Sequence, residues 1–352
     1  MKANGIAVIG RVADGAELFD GQTVKTRTLR DELARRFPGR ELVCVDTYQY
    51  KKRILPILVR TLRAFMHCEH IFILLSRNGR RFFFPLINGL NRIFHRRLYH
   101  DAVGGALPDE AAGNPALIRN LNRFEVNWVE FDAMQIRLAG LGVTNAEVLP
   151  NFKQLTILAE NQLPEIETDP FRFVMFSRVT REKGITSAAE AVVSLNRQYG
   201  DIRAVLQIYG PVDPDYQEEL HSLTERNPES VFYMGCVPYD QSVDVLKDSF
   251  MLLFPTVYPG EGMPGTIIDA YSAGVPVIAT DWHFNSELVH HGKTGFCYAW
   301  QQPEQLEEWM RYAAEHPDRI ERMRPQCLAE AGKYTPDAVM GTVLARMEAE
   351  PE

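Results

Sequence analysis

YPGEGMPGTIIDAYSAGVPVIAT, residues Tyr258 to Thr280, reads as a loop, a helix and a buried strand in immediate succession. Pro259, Gly260, Gly262, Pro264 and Gly265 fall within seven residues, so the backbone there bends sharply and can lie close to a ligand. Ile267, Ile268, Tyr271 and Ala273 keep a helical period that Gly274 stops, and residues 275–279 form a short apolar run of strand character. A glycine-rich loop that opens a helix directs unpaired N–H groups and the positive end of the helix dipole outward, a setting that suits phosphate oxygens. The stretch also carries two acids eight residues apart, Glu261 at the loop mouth and Asp269 about two turns further on. Carboxylates so placed can accept hydrogen bonds from the hydroxyls of a sugar nucleotide. An ordinary loop, helix and strand with two solvated acids is the competing reading.

The same alternation runs through the chain on both sides of this stretch. Strand patterns at residues 6–9, 42–46, 71–75, 97–103, 126–131 and 147–149 are separated by helical patterns near 24–36, 54–66, 86–94 and 134–141. Residues 151–170, with Pro164, Pro170 and several acids, read as a linker. Strand patterns then recur at 173–176, 205–209, 231–234, 251–254, 275–279 and 295–298. Strands alternating with helices predict parallel sheets covered on both faces. The expected fold is α/β, with two Rossmann-like parallel-sheet domains facing across a cleft and a ligand between the carboxyl ends of both sheets. The boundaries read as 1–155, 156–335 and a carboxyl-terminal segment, 336–352.

A length of 352 residues agrees with two domains, and a chain 45% hydrophobic and 24% charged has the composition of a globular protein. No apolar run approaches the roughly 18 residues that would span a bilayer, and MKANGIAVIG lacks a signal-peptide pattern, so the expected location is the cytoplasm. Cys44, Cys68, Cys236, Cys297 and Cys327 are odd in number, scattered and without a CxxC pair, which argues against a disulfide framework and a zinc site. Charge is unevenly shared: residues 1–150 hold 22 Lys and Arg against 15 Asp and Glu, leaving 16 against 31 for the rest. Between Lys51 and Arg97 eleven cations face the single acid Glu69, mixed with Phe, Leu and Ile. Such a surface suits anionic lipid headgroups, which predicts peripheral contact with the inner face of a membrane through residues 51–97. Plain solvated helix faces are the alternative; no nucleic-acid-binding motif accompanies the charge and the chain is acidic overall.

Taken together, these motifs resemble family 4 of the retaining glycosyltransferases, of GT-B fold, over nearly the full length and in the family's order. Glu261 followed by Asp269 resembles its E-x7-E signature, with the second acid one methylene shorter. FSRVTREKGI resembles its G-R-x-x-x-x-K-G pattern, with Ser177 in place of the first Gly and Arg178, Lys183 and Gly184 retained. DGAELFDGQTVKTRTL resembles the family's glycine loop, which implies that Gly21, Gln22 and Thr23 approach the donor phosphate or the acceptor. VLPNFK resembles the hinge, and IYGPVD with YMGCVPYDQ resembles the pairs of loops around the nucleobase, which implicates Gly210 and Val237. RLYHDAVGGALPDE also resembles a capsular and exopolysaccharide branch, with His100 near the position of a catalytic histidine.

The resemblance implies a hexosyltransferase acting in cell-surface polysaccharide biosynthesis, with a nucleotide diphosphate sugar such as a UDP-sugar as co-substrate, no cofactor and no metal. The acceptor would be a glycan or a lipid-linked glycan, and nucleic acid is not an expected partner. Arg178, Lys183 and the helix start beyond Gly262 (Met263, Pro264, Gly265, Thr266) would stabilise the departing diphosphate. Glu261 would hold donor-sugar hydroxyls and Asp269 the ribose, with His100 a further catalytic candidate. The carboxyl-terminal helix, 336–347, would cross back to the first domain. Replacing Glu261 or Lys183 by Ala is expected to abolish transfer and leave the fold intact. A GT-B epimerase or phosphorylase, and a non-catalytic sugar-nucleotide-binding protein, are the alternatives; a nicotinamide dehydrogenase is disfavoured because IGRVADG lacks G-x-G-x-x-G.

Overall fold

In the computed structural model, which describes residues 4–15 and 21–350, strands and helices alternate in two compact units. The first unit runs to Gln154 and takes in the chain again from Pro336; the second is Leu155–Thr335. The strands of the first unit are β1 (Gly5–Gly10), β2 (Leu42–Asp46), β3 (Cys68–Leu74), β4 (Arg97–Asp101), β5 (Val126–Val129) and β6 (Ala146–Val148). They pair in parallel in the order β2-β1-β3-β4-β5-β6. Every residue of β1 is buried, which is why GIAVIG is apolar throughout, with no alternation.

The second unit repeats the plan with β7 (Phe171–Phe176), β8 (Ala204–Tyr209), β9 (Val231–Gly235), β10 (Met251–Phe254), β11 (Val277–Thr280) and β12 (Gly295–Tyr298). All pair in parallel, in the order β12-β11-β10-β7-β8-β9. Both sheets are doubly wound, so each has a switch point where successive connections leave in opposite directions, and a crevice opens there at the carboxyl ends of the strands. In the first unit the switch lies between β1 and β3, in the second between β7 and β10.

Several boundaries depart from the sequence expectation. The helix expected at 86–94 spans Arg77–Phe94, with Pro85 inside it. Pro85 is exposed while Phe83, Phe84 and Ile87 are buried, so the missing hydrogen bond falls on the solvent side and the apolar face carries the helix through. The stretch read as a linker is packed on the second unit from Leu155 onward. Leu158 N donates to Ser272 O at 3.0 Å, and Arg324 Nη1 donates to Pro164 O at 2.6 Å. The helix Pro336–Glu348 places Val339, Met340, Val343 and Met347 in the apolar core of the first unit, beside Tyr99 and Trp128. Arg97 clasps its end by donating to the carbonyls of Met347 and Arg346.

Of the eleven cations between Lys51 and Arg97, four serve the fold. Arg80 is buried and pairs with Glu110 at 2.8 Å, Arg97 reaches Glu125 at 2.7 Å, Arg96 donates to Phe65 O and Arg63 pairs with Glu41. A buried ion cluster ties the first helix to the sheet. Lys25, on the helix Gly21–Arg36, lies 2.7 Å from Asp101 Oδ1 and 3.0 Å from Glu130 Oε1, and donates to Ala102 O at 2.9 Å. One cation serves two carboxylates, and the two shifts follow from that count. The carboxylates raise the Lys25 pKa to about 12 against its burial, whereas burial raises Asp101 to about 6 despite the lysine. The charge on Lys25 is held in place because it faces two carboxylates at once.

Candidate active site

The loops leaving β7 and β10, on either side of the switch point of the second unit, carry Arg178, Lys183 and Glu261. After β7 the chain makes a single 3-10 turn, Arg181–Lys183, and leaves it through Gly184 in the left-handed region, φ 76°. A Cβ on Gly184 would come within 2.4 Å of Pro255 O, so only glycine lets the two loops meet this closely. Contact between them is direct: Lys183 Nζ donates to Glu261 Oε2 at 2.5 Å, with both side chains less than a tenth exposed. Thr256 Oγ1 donates to the same oxygen at 2.9 Å, and Val257 N donates to Glu182 O at 2.8 Å.

Aromatic rings complete the cation's surroundings. Lys183 Nζ lies 5.2 Å from the Phe254 ring centre and 5.3 Å from that of Tyr258, and the exposed Arg178 guanidinium sits 5.3 Å from the opposite neighbour of that cluster, again the Tyr258 ring. Two cations are thereby gathered around one tyrosine. Trp282 Nε1 donates to Tyr258 O at 2.9 Å and Thr280 Oγ1 to Thr256 O at 2.7 Å, so the loop is anchored to the end of β11. Thr256, Tyr258 and Trp282 were not singled out from sequence; the T-x-Y-x-x-E spacing before the glycine-rich turn was the available signal.

The helix expected after this loop spans Gly265–Ser272. Pro264 is its N-cap and offers no side-chain cap, while Thr266 Oγ1 is buried without a hydrogen-bond partner among the described residues. Gly262, Gly265 and Thr266 are half-buried and Met263 and Pro264 buried. Asp269 lies one turn into the helix, because the helix starts only at Gly265, and it is buried, as is Glu261. Burial of both excludes the reading in which these acids are solvated surface charges.

Gly210, φ 130°, follows β8; a Cβ there would meet Ser177 O at 1.9 Å, so close passage of the two strand ends already demands glycine. Its carbonyl accepts from Tyr233 Oη at 3.0 Å, and Val237 lies half-buried in the loop after β9. Gly21, Gln22 and Thr23 belong to the first unit, at the start of its first helix; Gln22 Nε2 donates to Leu74 O and Thr23 is fully buried. Residues 16–20 of the glycine loop lie outside the described residues.

His100, expected as a catalytic candidate, is a core residue of the first unit. It lies in β4 with no exposed surface, edge-on to Phe84 at 4.9 Å and 5.6 Å from Phe124. Its Nδ1 is 3.0 Å from Asn127 Oδ1, which accepts, so Nδ1 carries the proton in the neutral ring. Burial lowers its pKa to about 3. The side chain thus turns into the helix layer, against Phe84 and Phe124, and is packed as a core residue.

Residues 159–327 match the family described as Glycosyl transferases group 1. The chain is 27% identical over 154 residues to the D-rhamnosyltransferase WbpZ of Pseudomonas aeruginosa, covering 43% of this chain and 38% of that protein. It is 30% identical over 141 residues to the putative colanic acid biosynthesis glycosyltransferase WcaL of Salmonella typhimurium, covering 38% and 33%. The aligned stretches thus span roughly a third of the length of these curated relatives. The crystal structure of Anabaena Alr3699/HepE in complex with UDP superposes with a TM-score of 0.73 at 14% identity, over 97% of this chain and 99% of that one, a likeness of fold. The chain therefore carries a glycosyl transferases group 1 domain over residues 159–327, within a fold of two six-stranded parallel sheets of GT-B type.

Proposed function

We propose that this chain is a retaining, metal-independent hexosyltransferase that moves a sugar from a nucleotide diphosphate sugar to a hydroxyl of a glycan or lipid-linked acceptor in cell-surface polysaccharide biosynthesis. The observation that carries this reading is the buried Lys183–Glu261 pair at the β7–β10 switch point, in the domain that matches the family. An ammonium has three N–H donors, so Lys183 can keep Glu261 and add a donor phosphate oxygen. Arg178 and the uncapped helix start at Gly265 supply further positive potential where the leaving diphosphate develops charge. Glu261 Oε1 then accepts from donor-sugar hydroxyls, Asp269 serves the ribose, and Gly210 and Val237 flank the base. The C1–O bond to phosphate breaks, the acceptor oxygen bonds to C1 on the same face, and the hydroxyl proton passes to the leaving phosphate. Relatives named for colanic acid biosynthesis and rhamnosyl transfer support the polysaccharide setting.

Thermal-shift titration with uridine, guanosine, adenosine and thymidine diphosphates and their sugars tests the donor class. A uridine nucleotide is expected to stabilise the chain, by about 2.7 kcal/mol at a hundredfold excess over Kd. No stabilisation by any nucleotide would overturn the reading.

Among the described residues no helix is long and apolar enough to cross a membrane. We propose peripheral contact with an anionic membrane on its cytoplasmic side through the helix Ile54–His67. Leu55, Val59, Leu62 and Met66 recur at helical spacing on one exposed face, with Leu55 70% exposed, and Arg53 and Arg60 are exposed beside them. The protein is expected to float with vesicles containing phosphatidylglycerol and to lose most of that binding as L55S/V59S; equal flotation of the variant would sink the proposal.

A further inference from the structure

Tyr258 stands three residues before Glu261 in the loop after β10, and its backbone is tied at both ends. Tyr258 N donates to Thr256 Oγ1 at 3.2 Å, and Tyr258 O accepts from Glu261 N at 3.1 Å and from Trp282 Nε1 at 2.9 Å. The ring folds back over its own loop. A Cβ on Gly260 would come within 2.9 Å of the ring and 3.2 Å of the Tyr258 hydroxyl, so glycine at that position gives the phenol its place.

Charge around the ring does not balance. Lys183 Nζ and the Arg178 guanidinium each lie 5.3 Å from its centre. Glu261 offsets the first of these charges, whereas Arg178 is exposed and forms no ion pair among the described residues. The surplus of positive charge favours an incoming anion. Contact with a ring face leaves N–H groups on both cations for oxygen ligands, since an ammonium carries three donors and a guanidinium five. The Tyr258 hydroxyl makes no hydrogen bond among the described residues and belongs to a half-buried side chain. It is a donor held on a fixed backbone beside two cations.

We propose that Tyr258 is a third ligand of the donor's diphosphate, its hydroxyl donating to the distal phosphate, the one bonded to the sugar, alongside Lys183 and Arg178. This rests on the transferase reading above and adds to it a residue with a defined contact. The distal phosphate is the one assigned because Glu261, which serves the sugar hydroxyls in that reading, belongs to the same cluster. As the C1–O bond breaks, its electron pair goes to the phosphate oxygen, and a donor already aimed there stabilises the gathering charge.

Calorimetric titration of wild type and Y258F with UDP and with UMP provides the test. Phenylalanine keeps the ring, the cation contacts and the fit beside Gly260, and removes only the hydroxyl. Y258F is expected to bind UDP weaker by about tenfold or more, while UMP affinity and the melting temperature of the free chain hold, because UMP lacks the distal phosphate. Equal UDP affinity in Y258F and wild type would overturn the assignment. So would equal losses for UDP and UMP, the outcome that a purely structural role of the phenol produces. G260A supplies a second variant, since its methyl group displaces the phenol. Its cost in UDP affinity is expected in the wild-type background and not in Y258A; the same cost in both counts against Tyr258. A wild-type chain that binds no nucleoside diphosphate refutes the donor reading, whereas UDP binding indifferent to Y258F refutes the role of Tyr258 alone.

Discussion

Glu261→Ala is expected to abolish sugar transfer and at the same time to destabilise the chain by on the order of 3–5 kcal/mol. From sequence, the substitution was expected to spare the fold. The structure changes that expectation because Lys183 and Glu261 are buried together, so removing the carboxylate leaves an ammonium in a poorly solvated site against the rings of Phe254 and Tyr258. Lys183→Met strands the carboxylate instead, with Thr256 as its remaining side-chain donor. The double variant K183M/E261M is expected to lose less stability than the sum of the single losses, since neither charge is then stranded. Glu261→Gln separates the roles: it retains an oxygen for Lys183 and Thr256, so stability largely returns, while transfer stays far below wild type. Urea denaturation and a transfer assay on the four variants give both readouts. Wild-type turnover in Glu261→Gln would remove Glu261 from the mechanism.

Lys25→Met is expected to be about as destabilising, on the order of 3–5 kcal/mol near pH 8, because Asp101 and Glu130 lose the one cation that faces them both. Its pH dependence has a definite sign. Asp101 has a folded-state pKa of about 6, above its ordinary value of 3.8, so the native state binds the extra proton between those values. Its contribution to stability is complete below about 3.8 and is lost as pH rises through 6. Without Lys25 that loss deepens, so the deficit of the variant relative to wild type is larger at pH 8 than at pH 5. Denaturant titrations at the two pH values measure it; a deficit independent of pH would show that the cluster carries no charge coupling.

The periodicities of the chain identified most of the strands and the class of both sheets, because parallel strands buried on both faces need unbroken apolar runs such as GIAVIG and FVMF. Boundaries were less legible where one residue type serves two purposes. Pro85 signals a break, yet on the exposed side of an amphipathic helix it is tolerated; residues 155–170 look like a linker in composition, yet Arg324 and Ser272 satisfy their carbonyl and amide groups. His100 shows the same limit at a site. A histidine near a strand end is compatible with a surface or a core position, and the difference lies in Phe84, Phe124 and Asn127, which approach it from other elements.

What the sequence determined by itself is local: a glycine-rich turn that only an irregular backbone can use, the helix and strand that follow it, and the residue types Arg178, Lys183, Glu261 and Asp269 at family spacing. What the tertiary structure decided is which of these meet. Strand order brings β10 beside β7, and that places Glu261 within 2.5 Å of Lys183 across 78 positions of sequence, with Tyr258 between the two cations. This grouping is not written in any window of the chain, because charge pairing depends on distance in space and strand order alone sets that distance.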